Sequence, residues 1–197
     1  PVTLSPLHNL PPQPTPFMGR GTELTQIIRL LTNRDCRLLT LLGVGGIGKT
    51  RLAIEATQRI VEGSSAGDNR LFCNEACFVT LAPVEAVELL IVTIAQSLGL
   101  LTNSSALAAD VAAHLRSRRL LLVLDNFEHL LDATETVTYL LQNAPQLKIL
   151  LTSRQRLHLR EEWLFPVSGL ALTGAAMLQE GSSRGIVNGL HHLADSL

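Results

Sequence analysis

Aromatic side chains are scarce: one Trp, one Tyr and five Phe make up 4% of 197 residues. A core here must be built from Leu, Ala, Val and Ile, as in α/β proteins. Charge of one sign is missing too. Sixteen Lys and Arg face 17 Asp and Glu, for a net charge of −1, which argues against a nucleic-acid surface. The densest basic run, Arg116, Arg118 and Arg119, reads as a solvated helix end. There are three cysteines, Cys36, Cys73 and Cys77. An odd number without repeated spacing argues against a disulfide framework, and no histidine pattern follows Cys77 to complete a zinc site. A long hydrophobic run is also absent. The longest, Val87–Leu101, contains Glu88, Gln96 and Ser97 and is too short to span a bilayer comfortably. No signal peptide precedes it. These absences together predict a cytoplasmic protein. Because the chain starts at Pro1 rather than Met, a trimmed N-terminus is expected.

What remains is 46% hydrophobic and 17% charged, enough for one well-filled domain. Prolines at 6, 11, 12, 14 and 16 make residues 1–16 an extended lead-in or linker, neither helix nor central strand. Leu24, Ile27, Ile28 and Leu31 then repeat at helical spacing. Arg37–Leu42 is an apolar strand that stops at a glycine cluster, and Lys49–Val61 carries a helical stripe. Gly63–Asn69 reads as a loop and Ala76–Leu81 as a second strand. Val84–Leu98 reads as a well-buried helix, and Ala108, Val111, Ala112 and Leu115 mark another. Leu120–Leu124 is a third strand that does not alternate, so it is buried on both faces. A stripe from Leu130 to Leu141 follows, then strands at Lys148–Leu151 and Trp163–Val167. Strands alternating with helices predict an α/β, three-layer fold: a parallel sheet of about five strands flanked by helices. Residues 171–197 form a divergent tail, with at most one amphipathic helix and surface residues His191 and His192.

The chemistry lies in Gly43-Val44-Gly45-Gly46-Ile47-Gly48-Lys49-Thr50, a full GxxxxGK[ST] phosphate loop between a strand and a helix. Glycines allow positive φ and turn backbone N–H groups inward onto phosphate oxygens. The helix opening near Lys49 adds its positive dipole end. Lys49 is placed to reach the β- and γ-phosphates, and Thr50 to ligate Mg²⁺. Leu120–Asp125 is an apolar strand ending in a carboxylate, so Asp125 is the second Mg²⁺ ligand, directly or through water. Leu150-Leu151-Thr152-Ser153-Arg154 brings another buried strand to the same sheet edge. Arg154 there is a γ-phosphate sensor, because guanidinium matches phosphate geometry. The plainer reading of Arg154 is a solvent-facing strand end. The expected catalytic set is therefore Lys49, Asp125 and Arg154, with ATP or ADP and Mg²⁺ as cofactors.

Six segments in order resemble the STAND class of NTPases, the NB-ARC-like signalling ATPases, and most closely the bacterial branch fused to transcription-factor or repeat domains. They are Pro16–Leu24, Leu38–Ala53, Phe78–Val84, Leu120–Leu131, Ile149–Leu157 and Phe165–Leu170. The resemblance implies a nucleotide-binding domain over residues 17–170. It implies that Phe17, Met18, Gly19 and Arg20 lie over the adenine, that Arg51 joins the loop residues at the nucleotide, and that adenine nucleotides are preferred. It also implies a switch: ADP held at rest, then exchange for ATP and self-association through this domain, with neither membrane nor direct nucleic-acid contact.

Two departures stand out. Many relatives carry a second acidic residue after the Walker B aspartate. This chain has Asn126, whose amide cannot take a proton from water, so hydrolysis is expected to be slow or absent unless Glu128 or a partner subunit substitutes. The family continues into a helical lid and a winged helix, and residues 171–197 resemble neither. A fragment or a truncated product, with weaker nucleotide retention, is the expectation. The other functions consistent with the motifs are a freestanding small P-loop NTPase or kinase, and a nucleotide-stabilised interaction scaffold.

Overall fold

The computed structural model describes residues 7–64, 75–100 and 104–169. The loop expected at Gly63–Asn69 lies mostly outside these residues, and Cys73 and the tail expected at 171–197 lie wholly outside them. The elements in chain order are β1 (Leu7–His8), α1 (Gly21–Thr32), β2 (Leu38–Leu42), α2 (Lys49–Ser64), β3 (Glu75–Thr80), α3 (Leu89–Ser97), α4 (Leu107–Leu115), β4 (Leu120–Asp125), α5 (Thr134–Asn143), β5 (Lys148–Ser153) and β6 (Glu162–Pro166). Two short 3₁₀ turns, Phe127–His129 and Leu131–Ala133, lie between β4 and α5.

The strands form one six-stranded sheet in the order β1-β3-β4-β5-β2-β6, and every pairing is parallel. The five strands expected from the sequence are present. The sixth, β1, is a two-residue edge strand inside the proline-rich lead-in, paired to β3. Proline excludes a central strand there but not an edge. Asn9 extends the pairing with its side chain: Oδ1 accepts from Phe78 N at 2.6 Å and Nδ2 donates to Phe78 O at 2.9 Å. Leu7–Asn9 of the lead-in thus lie against the sheet.

Because parallel strands are covered on both faces, β4 and β5 are buried at every position. Alternate residues feed two separate cores. Leu121, Val123 and Leu150 pack with Leu24, Ile27, Leu52 and Ala56 under α1 and α2. Leu122, Leu124, Ile149 and Leu151 pack with Leu90, Val111, Leu115 and Val137 under α3, α4 and α5. This is the expected three-layer architecture.

Three local expectations need adjustment. The helix expected over Val84–Leu98 begins only at Leu89, which is 47% exposed; Leu90, Ile94 and Ala95 are its buried residues. The apolar run overstated its burial because the preceding residues form turns that pack Val84 and Val87 into the core without helix. Leu130 and Ala133 are buried, but ahead of α5: Leu130 between the two 3₁₀ turns and Ala133 at the end of the second. Arg116 and Arg119 are exposed, whereas Arg118 is half-buried and donates through Nε to Glu75 at 3.0 Å.

No described helix is long and apolar enough to cross a membrane.

Candidate nucleotide site

The loop between β2 and α2 turns through two glycines with positive φ, Gly46 at 75° and Gly48 at 90°. A side chain at either position would be strained, since L-residues rarely adopt that region. The turn sets the first turn of α2 at the carboxyl edge of the sheet. That turn carries no acidic side chain, so nothing of its own offsets the positive end of the helix dipole. Lys49 is 8% exposed. Its ammonium donates to Gly43 O at 2.7 Å and Val44 O at 3.0 Å, folded back on its own loop. Burial lowers its pKa; Glu128 and Asp125 push it up, and Arg154 pushes it down. A phosphate would supply the missing anionic partner.

Strand order decides what surrounds that lysine. β5 lies between β2 and β4, so Asp125 is two strands from the loop and is reached through Thr50 and Thr152. Asp125 Oδ1 accepts from Thr50 Oγ1 and from Thr152 Oγ1, each at 2.7 Å. Thr152 Oγ1 in turn accepts from Asn126 N at 2.9 Å. The threonine on the intervening strand is thus the bridge that sequence reasoning missed, because it depends on strand order. Thr50 and Asp125 offer two hard oxygens side by side, a donor set suited to Mg²⁺ completed by phosphate oxygens and water. Among the described residues there is no cluster of three or more His, Cys, Asp or Glu.

After β4 the chain turns sharply. Asn126 adopts φ 69°, a left-handed conformation that asparagine tolerates better than most residues. The turn buries Phe127 completely and returns Glu128 over the loop. Glu128 Oε1 accepts from Arg154 Nε at 2.9 Å, while Oε2 is buried without a partner among the described residues. Arg154 lies on the loop itself: a Cβ on Gly45 would sit 2.8 Å from its Nη2. Gly45, Gly46, Gly48, Lys49, Thr50, Arg51, Asn126, Glu128, Thr152 and Arg154 line a cavity of about 410 Å³.

A second cavity of about 330 Å³ adjoins it, lined by Thr15, Pro16, Phe17, Met18, Arg20, Ile47 and Arg51 among others. Phe17 packs on the α1/α2 core, Gly19 turns with φ 81°, and Met18 is 79% exposed. Arg20 is buried, and its Nη2 donates to Ile47 O at 2.8 Å and to Ser168 O at 3.0 Å. Its Nη1 is buried and has no hydrogen-bond partner among the described residues, on a residue that lines this cavity. Buried donors left unpaired are costly, so a ligand acceptor there is favoured. Arg51 lies between the two cavities; its guanidinium donates to Thr15 Oγ1 at 3.0 Å and also to Thr15 O. Val44 is 69% exposed and contributes its carbonyl to Lys49. Of the sequence-predicted residues, Gly45, Gly46, Gly48, Lys49, Thr50, Arg51 and Arg154 line the first cavity and Phe17, Met18, Arg20, Ile47 and Arg51 the second, whereas Gly19, Gly43, Val44 and Asp125 line neither.

The glycine loop, the Asp-ended strand and the strand inserted between them define a P-loop NTPase domain. The NB-ARC domain family matches residues 20–158, and the chain belongs to that family. A Mycobacterium tuberculosis protein whose name assigns it provisionally to the HTH-type transcriptional regulators is 38% identical over 143 residues, 72% of this chain and 15% of its own length. An uncharacterised protein of the same organism is 35% identical over 179 residues, 90% of this chain and 43% of its own length. This chain thus spans less than half the length of either relative. Two solved structures share the fold. The ORC2 protein of Aeropyrum pernix, solved in ADPNP–ADP complexes, aligns with TM-score 0.56 and 17% identity over 78% of this chain and 49% of its own. A STAND protein with a tetratricopeptide repeat sensor from Pyrococcus horikoshii aligns with TM-score 0.52 and 21% identity over 81% of this chain and 24% of its own.

Proposed function

We propose that this chain is the nucleotide-binding core of a STAND-type regulatory ATPase, binding ATP or ADP with Mg²⁺ and serving as a switch with slow hydrolysis. One observation carries the reading: Thr50 Oγ1 and Asp125 Oδ1 lie 2.7 Å apart at the mouth of the glycine loop, next to a buried lysine. Ser/Thr from the loop and Asp from the end of a buried strand are the pair that holds Mg²⁺ against the phosphates. When bound, the metal neutralises charge on the β- and γ-oxygens.

The chain's own groups divide the remaining work. Lys49 leaves its loop carbonyls for the phosphates. Arg154 meets the terminal phosphate, and the free Nη1 of Arg20 serves the base side. Asn126 stands where an acid would take a proton from water, which favours slow turnover. Residues from Phe17 to the last described position act as one nucleotide-binding unit. Occupancy by ATP promotes self-association of that unit. By analogy with the mycobacterial relative, the output is control of transcription in the cytoplasm, exerted through parts of the protein other than this domain.

The test is to purify the protein, denature it, and identify released nucleotide by chromatography, with single-turnover hydrolysis of added ATP alongside. Stoichiometric adenine nucleotide and turnover slower than about one per minute, far below ordinary enzyme rates, support a switch. Turnover at ordinary ATPase rates refutes the slow-hydrolysis part.

A further inference from the structure

We propose that Glu128 is a positioning residue for Arg154, fixing its guanidinium over the glycine loop so that its Nη donors meet the terminal phosphate of ATP. The proposal rests on the nucleotide-site reading given above.

The geometry is directional. Glu128 takes Nε at 2.9 Å, the one donor that faces back along the side chain. Nη2 is then left against Gly45, on the phosphate side. A guanidinium held at Nε keeps its Nη edge available for a second planar acceptor. Arg154 can therefore hold Glu128 and a phosphate together, without exchanging one for the other.

Both partners stand on anchored backbone, unlike an ordinary surface pair. On the Glu128 side, Phe127 is fully buried, and His129 Nε2 lies 3.0 Å from Leu81 O and 2.8 Å from Val84 O. On the Arg154 side, Glu162 gathers the following loop. Its carboxylate accepts from Leu157 N and His158 N at 3.0 Å and from Thr40 Oγ1, on the loop-bearing strand, at 2.7 Å. The loop leading out of β5 is thereby tied to β2. Glu128 is also more buried than a solvent pair requires: its side chain is 15% exposed against 60% for Arg154, and Oε2 has no partner among the described residues. A carboxylate desolvated beside a phosphate site is unfavourable by charge alone. Orienting a cation there is what offsets it.

This gives a prediction opposite in sign to simple electrostatics. Removing a carboxylate from a phosphate cavity should by charge alone tighten ATP. If Glu128 positions Arg154, Glu128→Ala instead lowers the preference for ATP over ADP by about three- to fivefold, the scale of a partly exposed ion pair. Glu128→Gln, whose amide oxygen still accepts from Nε, keeps the preference within about twofold. In an Arg154→Ala background, Glu128→Ala no longer lowers it.

The experiment is calorimetric titration of Mg-ATP and Mg-ADP into the wild type, the three single variants and the double variant, with circular dichroism to confirm folding. A lowered preference in Glu128→Ala, rescued by Gln and abolished without Arg154, supports the proposal. A preference that rises or stays level in Glu128→Ala overturns it, as does an equal fall in the Arg154→Ala background. If the wild type binds neither nucleotide, the site reading itself has failed; normal wild-type binding with the wrong pattern among variants refutes the positioning role alone.

Discussion

The two ends of the sheet use cations differently. At the amino-terminal edge, buried or half-buried cations are bonded to protein groups. Arg37 donates to Ala144 O at 2.7 Å and to Leu147 O at 3.2 Å. Lys148 Nζ donates to Leu31 O at 2.7 Å and to Asn33 O, closing the carboxyl end of α1. Arg118 pairs with Glu75. At the carboxyl edge, among the described residues, Lys49 bonds to its own loop carbonyls alone and Arg20 keeps a buried donor with no partner. On the proposed reading, the contrast separates cations that hold the fold from cations placed for a ligand. Burial lowers the pKa of both Lys49 and Lys148, so burial by itself does not tell them apart. Their partners do.

Exchanging the two lysines is the strongest way to break this comparison. Lys49→Ala is expected to weaken ATP and ADP binding by about a hundredfold or more, the scale of a lost charge-assisted phosphate contact. Its unfolding midpoint in urea should hardly move. Lys148→Met should do the reverse. It leaves the Leu31 and Asn33 carbonyls without their ammonium and costs ~1–3 kcal/mol of stability in urea denaturation, while the folded fraction binds nucleotide normally. Similar effects of the two substitutions on both readouts would remove the distinction.

Asp125→Asn sharpens the picture at the carboxyl edge. It preserves shape and an acceptor for Thr50 and Thr152 but removes the charge. Adding Mg²⁺ should then improve ATP affinity by about tenfold less than in wild type, measured as the ratio of dissociation constants with and without the metal. An unchanged ratio would place the metal elsewhere.

The effect that should be smallest is that of nucleotide on the two described thiols, which lie toward the amino-terminal side. Burial pushes Cys36 and Cys77 up to about 11 from 9.0, opposed by Lys148 and Arg118 respectively. At pH 8 their labelling by a thiol reagent should be about a hundredfold slower than that of a free thiol. Read in a Cys73→Ser background, it should not change with nucleotide. The linkage has a definite sign. A folded pKa above the unfolded one gives stability that is complete below pH 9.0 and lost as pH rises toward 11. The lowered lysines act oppositely below 10.5. The thiol contribution is therefore read as the difference between wild type and a Cys36→Ala/Cys77→Ala protein. Rapid labelling at pH 8 would show that this edge opens.

Much of this was legible in the chain because the relevant signals are local. Hydrophobic runs of strand length marked β2 to β6, and the Gly43–Thr50 spacing placed the loop between strand and helix. What was not legible depends on strand order. The sequence does not say that β5 lies between β2 and β4, so Thr152 looked like a strand end instead of a bridge to Asp125. Lys148 read as part of a strand, although its ammonium caps a helix more than a hundred residues earlier. Glu162 and His129 were missed for the same reason: their partners are distant backbone atoms. The short edge strand β1 escaped because two residues carry no periodicity, and its pairing is extended by a single asparagine side chain.

The central claim is that the glycine loop, Thr50 and Asp125 together form a working nucleotide site. Calorimetric titration of Mg-ATP into the wild-type protein, with ADP as competitor, tests it most directly. The account predicts saturable binding at one site per chain, displaced by ADP. No binding up to millimolar Mg-ATP, or binding that ADP fails to displace, would contradict it.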